Sequence, residues 1–128
     1  MSYYISTQVE TDFEATIERV KAALKEEGFG VLTEIDVKAT MKEKLDEDFR
    51  NYRILGACNP PFAHKALLRE DKIGTMLPCN VVVQDLEGGV TEVAAVNPVS
   101  SMQAVDNPGL LNIATEIRDR LSRVIERL

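Results

Sequence analysis

The stretch from Cys79 to Val96 constrains the fold more than any other. Cys79 to Leu86 reads as a strand, and its unbroken Val81-Val82-Val83 is the pattern of a strand covered on both faces, hence a central one. Gly88-Gly89 supplies the positive φ that a tight turn demands, and Val90 to Val96 returns as the next strand. A hairpin at the centre of a sheet makes at least that pair antiparallel.

The remaining elements are arranged around this hairpin. Tyr3 to Val9 alternates Tyr3, Ile5, Thr7 and Val9 against Tyr4, Ser6 and Gln8, a strand pattern. Thr11-Asp12-Phe13-Glu14 has capping-box spacing and predicts a helix over Asp12 to Glu27, with Phe13, Ile17, Val20 and Leu24 on one face and Gly28 ending it. Gly28-Phe29-Gly30 closes a helix and opens a strand, the reverse of a phosphate-binding loop. Phe29 to Asp36 is the second strand, and Val37, Met41 and Leu45 mark a short amphipathic helix. Asp46-Glu47-Asp48 lacks the glycine of a calcium-binding loop and reads as a solvated acidic turn.

Tyr52 to Ala57 is the third strand, its Gly56 and Ala57 small enough to admit a backbone or a ligand. Asn59 suits an N-cap and Pro60-Pro61 a first turn, so a short helix is expected from about Pro61 to Glu70. Asn97 to Ser101 is a loop, and Asp106-Asn107-Pro108 starts a last helix whose Leu110, Ala114, Ile117, Leu121, Val124 and Leu128 share a face. The class is therefore α+β: one domain over residues 1–128, a mainly antiparallel five-stranded sheet, two long helices packed on it and short helices in the connections. Two helices ~10 Å wide cover about one face of five strands spaced ~4.8 Å. The other face needs the short helices or a second copy of the chain.

Composition removes whole classes of function. With 15 basic and 21 acidic residues the net charge is −6, whereas nucleic-acid binding needs a basic face, so no nucleic-acid partner is expected. No apolar run approaches the ~20 residues of a spanning helix, and Met1-Ser2-Tyr3-Tyr4-Ile5 has no leader pattern. The expectation is a cytoplasmic protein, off the membrane, with reduced cysteines.

Several segments together resemble the bacterial and archaeal domain of unknown function 302. They are Gly28 to Val37, Met41 to Leu45, the run Tyr52-Arg53-Ile54-Leu55-Gly56-Ala57-Cys58-Asn59-Pro60-Pro61-Phe62-Ala63-His64-Lys65-Ala66-Leu67, and Ile73 to Val83. Asn97-Pro98 and the long last helix match the closing segment of that family, so nearly the whole chain is covered. The resemblance implies a β-α-β4-α arrangement grouped with TATA-binding-protein-like folds, usually a homodimer, and brings no established activity. Fold grouping does not license DNA binding. Asn97 stands where the family is expected to carry aspartate more often, and the position reads as a turn residue.

The residues with chemical potential gather around the third connection. Cys58 precedes the amino end of the short helix, where a helix dipole favours thiolate; His64 lies within that helix, and Cys79 begins the next strand. Converging, Cys58, His64 and Cys79 could hold a transition metal such as zinc or copper, or haem iron, with water, Met76 or a partner chain in a fourth position. The spacing matches no recognised zinc pattern. A thiol-based redox or nucleophilic enzyme would use Cys58 with His64 as base. Otherwise both cysteines are small packing residues, and Asn59 and Asn80 satisfy chain reversals. Lys65 and Arg53 either meet an anion or are surface charges. One histidine and no nucleophile elbow argue against a hydrolase, and neither a kinase nor a dehydrogenase fingerprint is present. The sequence thus offers a small-molecule, metal or haem binding module at Cys58, Asn59, Pro60, Pro61, His64, Cys79 and Asn80, a thiol enzyme, or a dimeric scaffold.

Overall fold

The computed structural model describes residues 2–128. Five strands, β1 (Tyr4–Val9), β2 (Gly30–Asp36), β3 (Tyr52–Cys58), β4 (Cys79–Leu86) and β5 (Val90–Val96), form one sheet in the order β1-β5-β4-β3-β2. Every neighbouring pair is antiparallel, and β4 is central. The β4–β5 hairpin turns through Gly88 and Gly89 at φ 82° and 79°, the backbone region its sequence anticipates.

α1 (Phe13–Glu26) carries the chain from one sheet edge to the other, and α5 (Leu111–Glu126) returns across the same face. Between helices and sheet lie Ile17, Val20 and Leu24 of α1, Leu121 and Val124 of α5, and Leu55, Val81, Val83 and Val93 of the strands, all essentially without solvent exposure. Burial of one such side chain contributes roughly 1.5–3 kcal/mol. Alternation along the strands sets the other face apart: Val82 and Ala94 are only half-buried and Asn80 is exposed. The Val81-Val82-Val83 run is therefore central in the sheet but covered by helices on one side alone.

Local chemistry departs from the sequence reading at a few points. The cap of α1 is Asp12, whose side chain accepts from the Ala15 amide at 2.8 Å, and not Thr11. The Thr11 carbonyl instead accepts from the hydroxyls of Thr16 and Thr91, which ties the helix start to β5. α2 (Val37–Leu45) has no buried residue, so its modest stripe packs only partially. α3 (Pro60–Arg69) starts one residue earlier than expected and runs into a 3-10 turn over Asp71–Met76. The loop expected at Asn97 to Ser101 contains one helical turn, α4 (Pro98–Ser101), capped by Asn97. Asn97 also donates from Nδ2 to the Ser2 carbonyl at 3.1 Å, a bond that aspartate could not make.

Candidate functional site

α3, the 3-10 turn after it, α4 and the first turns of α5 meet over the Cys58–Cys79 end of the sheet and leave a cavity of about 270 Å³. Its origin is readable from residue size. α3 turns Phe62, Ala63 and Ala66 inward, and the two alanines leave unfilled the space that a larger side chain would take. Opposite stand Ile113, Ala114 and Ile117 of α5, with Ala57 and Cys79 as the floor. Leu32, Leu67 and Gly74, all exposed, border the cavity and frame its mouth.

Of the site residues expected from sequence, the cavity brings together Cys58, Asn59 and Cys79. Cys79 is buried, and Cys58, next in sequence to Cys79's cross-strand partner Ala57, is half-buried. Burial, and then the neighbouring Cys58 charge, push the Cys79 thiol up to about 11, so it stays protonated at neutral pH.

The other expected residues do not join them. His64 is exposed and does not border the cavity; at ~100° per residue it falls about 130° from the centre of the face formed by Phe62, Ala63, Ala66 and Leu67. Among the described residues no group of three or more His, Cys, Asp or Glu side chains is placed to hold a metal, so the Cys58-His64-Cys79 donor set is not assembled. Pro60 and Pro61 are exposed in the first turn of α3 and leave the cavity wall to later residues. Asn80 lies on the sheet's other face, in a shallow groove with Tyr4, Tyr52, Val82 and Ala94. Gly56 admits no ligand, because the Thr33 hydroxyl and the Pro78 ring occupy the space where a side chain would start. Arg53 is engaged by Glu14, Glu34 and Asp36, and Lys65 lies 5.2 Å from the Phe62 ring.

The sequence reading missed the support behind the cavity. Asn59 is buried, but its side chain does not cap α3. Its Nδ2 donates to the Glu27 carbonyl at 3.3 Å, and Arg120 Nη1 donates to the same oxygen at 3.0 Å. The Glu27 carboxylate, itself buried, takes Arg123 and Arg127, each at 2.9 Å. The Arg127 hydrogen bond, helped by Arg123 and opposed by burial, holds that carboxyl below its ordinary range. Arg120 also lies 5.2 Å from the Phe62 ring. One residue after α1 thus fixes α5, the start of α3 and a wall of the cavity. The only sequence signals were the alanines three apart in α3 and the arginines of α5, neither sufficient without knowing what faces them.

The family description "domain of unknown function DUF302" matches residues 5–128. The chain belongs to the DUF302 family. The crystal structure of an uncharacterized conserved DUF302 protein from Bacillus stearothermophilus is similar throughout, with 34% identity, 99% of this chain and 98% of that chain covered, and a TM-score of 0.91. No curated protein matches the chain. The fold expected from the sequence, an α+β domain with a five-stranded antiparallel sheet, is the fold of this DUF302 protein. Among its described residues no helix is long and apolar enough to cross a membrane.

Proposed function

We propose that this DUF302 protein is a binding module for a small molecule held in the cavity between α3 and α5. The supporting observation is the cavity itself: about 270 Å³ lined by apolar side chains, with Asn59 and the two cysteines as the polar interruptions among the described residues. Concave apolar spaces with few polar groups are where small ligands bind. Among the described residues the metal or haem form of this reading finds no third His, Cys, Asp or Glu donor beside Cys58 and Cys79. The thiol-enzyme form lacks the base, since His64 is on the outer side of α3. Free thiols suit a cytoplasmic setting, where they stay reduced.

Ligand-observed NMR with small neutral aromatic probes tests the reading. Binding to the native chain should vanish when Ala66→Leu fills the cavity. Absence of binding by every probe at millimolar concentration would remove the proposal.

A second reading, dimeric assembly, draws on the sheet's other face. Tyr4 is 44% exposed and Ile35 47%, and half-buried Val82 and Val96 lie between them. A second copy laid on this face would bury the apolar side chains that the helices leave uncovered. Sedimentation velocity should report a dimer that Val82→Lys converts to monomer; a monomeric parent chain would end this reading.

A further inference from the structure

We propose that the cavity selects a neutral, mainly apolar molecule carrying one hydrogen-bond donor, a hydroxyl or an N–H, which the side-chain oxygen of Asn59 accepts. This rests on the binding reading above and adds the chemical class of the ligand.

Among the described residues the cavity wall contains no charged side chain. A charged ligand would be stripped of water without a partner, a cost that neutral molecules avoid. Within the wall Asn59 is 6% exposed. Its orientation is fixed by what lies behind it: the Glu27 carbonyl accepts from Asn59 Nδ2 at 3.3 Å and from Arg120 Nη1 at 3.0 Å. A flipped amide would bring its oxygen against that carbonyl, acceptor to acceptor. Oδ1 therefore points away from Glu27, and it has no hydrogen-bond partner among the described residues. No side-chain nitrogen or oxygen among the described residues is both fully sealed and unpartnered, so Oδ1 is not sealed off. The space that Asn59 lines is the cavity. An acceptor held so, in apolar surroundings, discriminates in favour of a molecule that donates to it.

Size agrees with this class. A cavity of about 150 Å³ suffices for benzene, and this one is about 270 Å³. One substituted aromatic ring or a short branched alcohol fits, whereas a peptide helix about 10 Å across does not.

The test compares p-cresol with p-xylene, near-isosteres in which a hydroxyl replaces a methyl group. A purely apolar cavity would favour p-xylene, the more hydrophobic member. The native chain should instead bind p-cresol up to about 3-fold more tightly, one net hydrogen bond less the burial of the methyl group it replaces. Asn59→Ala should reverse the ranking, and Ala66→Leu should abolish binding of both. Should Asn59→Ala fail to fold, the ranking on the native chain decides alone. Binding of both probes with p-xylene equal or favoured would overturn this inference and leave the binding module standing. Binding of neither, or binding indifferent to Ala66→Leu, would overturn both.

Discussion

α5 has two halves in different surroundings. Its second half presents Leu121 and Val124 to Ile17, Val20 and Leu24, and none of these side chains is more than about 1% exposed. Its first half presents Ile113, Ala114 and Ile117 to α3 and walls a cavity. The helix is continuous, so the partner makes the difference. α1 offers Ile17, Val20 and Leu24, whereas α3 offers Ala63 and Ala66. A core and a pocket thus arise on one helix from side-chain volume alone.

The largest test of this contrast is Leu121→Ala, which should cost about 3–4 kcal/mol in urea unfolding, because the packed half has no neighbour free to collapse. A cost below ~1.5 kcal/mol would mean that the two halves are not packed differently.

Glu27→Gln comes next, at about 2 kcal/mol, since it removes a buried carboxylate whose arginines are half-exposed and can turn to water. The pH dependence has a definite sign. A carboxyl held below its ordinary range in the folded chain contributes stability that is intact above that range and is lost as pH falls through the lower folded value. Unfolding midpoints of the parent chain should therefore fall on acidification, and Glu27→Gln should flatten the slope. Equal slopes would show that the Arg123 and Arg127 pairs do not govern it.

Ala66→Leu should change stability by less than ~1 kcal/mol, in either direction, because the added methyl groups enter existing space. A loss above ~2 kcal/mol would mean that the pocket half is packed as tightly as the other.

The smallest effect is kinetic and leaves stability untouched. A disulfide reagent at neutral pH should label half-buried Cys58 well before Cys79, whose thiol stays protonated. Equal rates would show a cavity floor open to solvent.

Much of the fold could be read from the chain because its signals are local. Gly88-Gly89 between two strand patterns defines the hairpin, and the spacing of Phe13, Ile17, Val20 and Leu24 defines the inward face of α1. Thr11 and Asp12 both suit the cap of α1, and the fold uses Asp12; Thr91, far along the chain, takes the Thr11 carbonyl. The site was less legible. Cys58 and Cys79 reach one cavity because β3 and β4 are neighbours, a pairing that only the folded sheet shows. His64 follows Cys58 closely in sequence, but the helical period turns it outward.

The sequence by itself determined the elements, the antiparallel hairpin and the class of fold, since these depend on spacings of two to four residues. Only the tertiary structure decided that alanines of α3 face Ile113 and Ile117, and that Asn59 spends its amide nitrogen on Glu27 and leaves its oxygen free. Empty volume and an unused lone pair are properties of what stands opposite a residue, and no local pattern encodes the residue opposite.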